Sequence, residues 1–246
     1  MQKPVIEYKT IIINKKNIDA FRMLPGVRGR YISKEHKILI YRYSVSPDLS
    51  LSPNDTVFSK IREIRATEPC VLAHEEQHAQ NHTTVGSISK CAKNIYEYIS
   101  LLCMDEASAF TAGILQSKQS PKTTTDVLNA AITGTKEFLQ KQDYYLTKYA
   151  QFLLTDVVSF NAEKSTSNMI KKNGTKFFDY GFSNEFHCAI SKYFTFYDYS
   201  LFKDSELKKT KEWQQLVVNI KKIKTACVNR ATTITNMITQ HKFFGK

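Results

Sequence analysis

Three of the chain's six histidines fall within nine residues, at His74, His78 and His82 in the stretch CVLAHEEQHAQNH. The spacing constrains the fold more than any other feature. Residues four apart lie one helical turn from each other, so the imidazoles of His74 and His78 project from one face. Either a helix exposes a polar stripe here, or the stripe binds something. Two neutral imidazoles at this spacing can hold one zinc ion, and Glu75, on the flank of the same face, can take a proton from water that the ion activates. The flanking VLA and Ala79 are expected to keep the back of the helix apolar. Glu76 and Gln77 are more polar than a packed core invites.

A catalytic zinc site has three protein ligands and an open position. His82 lies on the same face but two turns from His74, too far along a straight helix to share one tetrahedral ion with both. Glu106 is the better third ligand. It stands twenty-eight positions after His78, on a second long helix that the turn at Gly86 allows to pack alongside. Asp105 points about a quarter-turn away on that helix and does not substitute.

With these residues in place, VLAHEEQH followed by MDEASAFTAGILQ resembles the gluzincin layout of zinc metallopeptidases, H-E-x-x-H with a downstream helical glutamate. The segment DEASAFTAGIL is similar to the corresponding helix of the ImmA/IrrE group. The resemblance covers about Val71 to Leu115. It implies His74, His78 and Glu106 as ligands of one Zn²⁺, Glu75 as general base, and a peptide or protein substrate. Some gluzincins place an orienting acid one turn after the ligand glutamate, where this chain has Phe110; an acid that fixes a histidine tautomer must then come from elsewhere. A donor to the developing oxyanion is also expected, with His187, Tyr180, Tyr193, Tyr197 and Tyr199 as candidates.

Around this motif the chain reads as α+β. VIEYKTIII and the run GRYIS-KEH-KILIYRYSVS, a hairpin by its short polar turn, predict a small N-terminal antiparallel sheet. KILIYRYS is expected to pair with an extended substrate at the rim of the cleft. Asp55 or Thr56 caps a helix through Arg65, and Pro69 opens the motif helix, which runs from Cys70 to about His82. A helical stripe from Ile88 to Ile114 follows. After a polar loop, two or three helices are expected to fill the stretch to Ala162, then an irregular aromatic segment, KKNGTKFFDYGFSNE, and a long basic amphipathic helix. Glycine and proline are scarce, which favours helix over a turn-rich all-β architecture. The expected organisation is a zincin-like core over 1–120 with a helical part, 121–246, packed on it.

The five cysteines form no C-x-x-C pair, which suits reduced thiols and a cytoplasmic location; Cys70 and Cys103, near the motif, read as inert. No signal-peptide core or membrane span is visible in the sequence. From Lys203 to Lys246 there are ten Lys or Arg against three Asp or Glu, within a net charge of +12. That surplus suits a solvated helix face or contact with nucleic acid, and the second possibility is the rival reading: a nucleic-acid-associated or regulatory binding protein with a structural metal site.

Overall fold

A computed structural model describes residues 3–23, 28–117, 123–159, 165–179, 181–184, 188, 192 and 206–240. The fold is α+β. Strands β1 (Val5–Ile13), β2 (Gly29–Ile32) and β3 (Lys37–Val45) form a sheet in the order β1-β3-β2. Helices α1 (Ile18–Met23), α2 (Thr56–Ala66), α3 (Glu68–Val85), α4 (Ile88–Cys91), α5 (Ile95–Gln116), α6 (Thr124–Ser159), α7 (Ser165–Asn173) and α8 (Lys211–Gln240) make up most of the rest.

The sheet is mixed rather than antiparallel. β2 and β3 form the expected hairpin, Gly29 opposite Ile40 and Ile32 opposite Lys37. β1 instead pairs in parallel with β3, from Val5 with Lys37 to Ile13 with Val45. The cause is the connection: residues 14–36 carry α1 and the edge strand β2, long enough to return the chain in its original direction. β3 is therefore the central strand, paired with β1 along Lys37–Val45 and with β2 along Lys37–Ile40, so the first half of KILIYRYS has a neighbour on both sides. The edge that faces the helices is β2.

Two hydrophobic cores flank the motif helix. Ile13, Ile18, Phe21, Tyr43, Val57 and Ile64 join the sheet to α1 and α2. A larger core unites α5 with α6, α7 and α8 through Ile99, Leu101, Phe138, Leu153, Met169, Ile223 and Ile234. It runs across residue 120, so α5 serves both the motif region and the later helices.

α3 lies between these cores, and its buried residues are Glu75, Gln77, Ala79 and Asn81. The apolar back expected of it reduces to Ala79, because a polar ladder does the packing. Gln77 Nε2 donates to Asn81 Oδ1 at 2.7 Å, and Asn81 Nδ2 donates to Asp105 Oδ1 at 2.6 Å and Ser108 Oγ at 2.8 Å. Both amides of the ladder, Gln77 and Asn81, thus have a partner, the condition for a polar interface to be stable. Farther along, Cys70 faces Gly113 and His74 faces Phe110, so α3 and α5 run antiparallel. The crossing is closest at Gly113, where a Cβ would lie 2.9 Å from the Cys70 carbonyl oxygen.

Other boundaries follow local chemistry. Asp55 caps α2 through Val57 N–H, and Pro69 sits in the first turn of α3. The stripe expected from Ile88 is broken at 92–94, where Asn94 caps α5 through Glu97 N–H. The two or three helices expected before Ala162 are one, α6, of 36 residues. Its Gly134 does not end it; a Cβ there would strike the Thr111 backbone, so the glycine serves close packing on α5. α8 buries Leu216, Ile223, Cys227, Ala231, Ile234 and Ile238 on one stripe and leaves Lys221, Lys222 and Lys224 exposed. α5 is the one described helix long and apolar enough to cross a membrane, and 67% of its most apolar window is buried inside the protein.

Candidate metal centre

α3 supplies His74 and His78 and α5 supplies Glu106. His74 Nε2 lies 3.2 Å from His78 Nε2, and Glu106 Oε2 lies 3.6 Å from the first and 3.8 Å from the second. A circle through three atoms so spaced has a radius of about 2.1 Å, the ordinary length of a zinc bond to imidazole or carboxylate. Glu106 Oε2 is buried and has no hydrogen-bond partner among the described residues. A buried carboxylate oxygen left bare is costly, and a cation at this point would satisfy it. The donor set, two imidazoles and one carboxylate, fits a zinc-type ion.

Each imidazole is fixed from behind. His78 Nδ1–H donates to Asp105 Oδ2 at 2.8 Å, and Asn81 in turn holds Asp105. The other ring nitrogen of His74 bonds the Ala109 carbonyl, while Phe110 packs edge-on against the ring at 5.0 Å. Both Nε2 atoms are thereby turned toward Glu106, which is how an outer partner orients a metal ligand. The acid missing at Phe110 is Asp105, a residue the sequence reading left without a role. Its neighbouring positions signal nothing, because the pairing depends on how α5 is rotated against α3.

Glu75 is 8% exposed and aims at β2, where its Oε2 accepts the Tyr31 backbone N–H at 2.8 Å. Burial raises its pKa, against the pull of His78 and that hydrogen bond. Gly29 makes the approach possible, since a Cβ there would meet Val71 Cγ1 at 2.8 Å and Glu75 Cγ at 3.0 Å. The remaining titrations show one excess of negative charge. Burial raises Glu106 to about 7 despite His78. Burial opposes charge on His78 too, but Asp105, Glu106 and Glu75 outweigh it and raise the ring to about 10. His74 goes well below the usual histidine value, through burial and the neighbouring His78 charge. Three carboxylates thus surround two rings that together retain one proton, an arrangement suited to a divalent cation.

His82 does not join the triad. Its Nδ1 lies 3.4 Å from the Tyr31 hydroxyl, which also meets His36 Nδ1 at 3.0 Å. All five cysteines are free; Cys103 is fully buried, and burial raises its thiol pKa. The oxyanion candidates His187, Tyr180, Tyr193, Tyr197 and Tyr199 lie outside the described residues. A phenol given no role by the sequence, Tyr145 on α6, lines the cleft beside Glu106, whose charge adds to burial in raising its pKa, and stacks on Phe138 at 5.8 Å. With thirteen tyrosines in the chain, no sequence signal separates it from the rest.

No known family model matches the chain, and neither a curated protein nor a solved structure matches it.

Proposed function

We propose that the chain is a zinc-dependent hydrolase, most simply a metallopeptidase, with His74, His78 and Glu106 holding one Zn²⁺. The carrying observation is the triad itself: three ligand atoms 3.2 to 3.8 Å apart, one of them a buried oxygen without a hydrogen bond. Two nitrogens and one oxygen from only three residues favour zinc with an open position over calcium or magnesium, which take more oxygens. When bound, the ion would supply a Lewis acid to the cleft.

The chain's own residues supply the rest. Glu75, buried and raised in pKa, is suited to accept a proton from water and return it to a leaving amine. The Tyr31 N–H keeps its carboxylate in place between β2 and the histidines. Asp105 and the Ala109 carbonyl hold the rings. Tyr145, which lines the cleft beside Glu106, is suited to meet negative charge developing on a carbonyl oxygen. β2 is the edge strand beside α3, and an extended peptide would lie along it.

Elemental analysis tests the first half of this reading: protein never exposed to chelator should carry about one zinc per chain. Glu75→Gln tests the second half. It should keep the metal and lose hydrolysis of a mixed peptide library by roughly a hundredfold or more, whereas His78→Ala should lose both. Release of the metal by Glu75→Gln would make Glu75 a ligand or a packing residue and remove the mechanism.

A further inference from the structure

The triad opens into a cleft of about 1280 Å³. β2 forms one wall and α6 the other, with α3 and α5 as the floor. Four cations reach it, Arg28 just before β2, Arg30 in β2, and Lys141 and Lys148 from α6. Two of them are already occupied. Arg28 donates to Glu63 at 2.9 Å and to Thr67 at 3.1 Å, and Lys141 pairs with Glu137 at 3.1 Å while lying over the Phe110 ring. Arg30 and Lys148 are exposed, and neither enters an ion pair among the described residues. They line the cleft from its two walls, Arg30 on β2 and Lys148 on α6.

Across the cleft the charge therefore alternates: a free cation, then the carboxylates Glu75, Asp105 and Glu106, then a second free cation. Building on the peptidase reading, we infer that the substrate is an acidic peptide, with Asp or Glu side chains on both sides of the bond presented to Glu75, met by Arg30 on one side and Lys148 on the other. The same alternation disfavours a nucleic acid. A polyanion carries a charge at every step and would bring phosphate over the three carboxylates, whereas a peptide places a neutral amide there. Each contact is a solvent-exposed pair, so its effect is modest, and salt should weaken it.

The test uses zinc-loaded, full-length Glu75→Gln protein and fluorescent peptides of equal length, with either acidic or basic residues flanking a neutral centre. Anisotropy titrations should show the acidic peptide bound more tightly, by about fivefold per cation. Arg30→Gln/Lys148→Gln should abolish the preference and Arg30→Glu/Lys148→Glu should reverse it, with circular dichroism confirming that each variant is folded. Equal binding of the two peptides, or an unchanged preference in both double variants, would overturn the inference. So would a single-stranded oligonucleotide that binds more tightly than the acidic peptide and is released by the same charge reversal. Wild-type hydrolysis of the mixed library is scored separately: its absence defeats the peptidase reading, while the binding order alone decides the acidic preference.

Discussion

At the scale of single residues, His78 has the most demanding position. One of its nitrogens faces Asp105 at 2.8 Å and the other faces His74 and Glu106. If Asp105 fixes the tautomer, Asp105→Asn should lower zinc affinity by about 10- to 100-fold, the usual effect of losing an outer partner, with activity recovered at excess zinc. A competition titration against a chromophoric chelator measures this, and unchanged affinity would leave Asp105 a packing role only. The protonation of the metal-free site gives a second prediction. With its pKa near 10, His78 is protonated in neutral solution, so zinc must displace that proton. Glu106, raised to about 7, gives up about half a proton as well, so calorimetric binding enthalpies at pH 7 should vary with the ionisation enthalpy of the buffer with a slope of about one to two protons. The stability of the metal-free protein has a definite sign as well. His78 and Glu106 both have folded pKa values above their ordinary ones, so the folded chain holds protons more tightly than the unfolded chain. Below pH 6.5 the lowered His74 opposes the raised Glu106, but from 6.5 to about 10 stability should fall as pH rises, through His78 and, up to about 7, through Glu106. Urea titrations of chelated protein at several pH values would show it, and a rise over this range would contradict the assigned charges.

At the scale of elements, the site depends on how closely α3 and α5 approach. Their contact is polar around Asn81 and Asp105 and tightest at Gly113, whose missing Cβ makes room for the Cys70 carbonyl. A backbone oxygen cannot swing aside as a side chain can. Gly113→Ala should therefore push the helices apart, destabilising the protein by about 1–3 kcal/mol and weakening zinc binding. Thermal unfolding and the chelator competition together would show whether both effects occur; a neutral substitution would mean the crossing is looser than described. Much at this scale was legible in advance. The hairpin, the Asp55 cap, the start at Pro69 and the break at Gly86 are written in local turn and capping chemistry. The parallel pairing of β1, the continuity of α6 through Gly134 and the break at 92–94 were not. Each of these is settled by a neighbour distant in sequence or by one cap among several competing signals.

At the scale of the molecule, the centre joins two lobes: α3 and β2 border the sheet core, while α5 and α6 belong to the helical core. A ligand bound only by the folded chain stabilises it by mass action, about 2.7 kcal/mol at a hundredfold excess over its dissociation constant. For a chain of this size that corresponds to a rise in melting temperature of about 5–10 °C. Differential scanning fluorimetry with and without chelator should show the rise, and His78→Ala should abolish it.

The residue spacing by itself determined one half of the candidate metal centre: a helix bearing His74 and His78 on one face with Glu75 beside them, because a four-residue step sets side-chain direction before any tertiary contact forms. It also pointed to Glu106, on a helix within reach of the first. The tertiary structure decided what surrounds them. Only the antiparallel packing of α3 on α5 turns Asp105 toward His78. Only the order β1-β3-β2 makes β2 the edge strand and carries Tyr31 to Glu75. Only the length of α6 brings Tyr145 and Lys148 into the cleft. The physical reason is that periodicity is a property of neighbours in the chain, while which faces meet depends on burying two separate cores at once, and no local stretch contains that information.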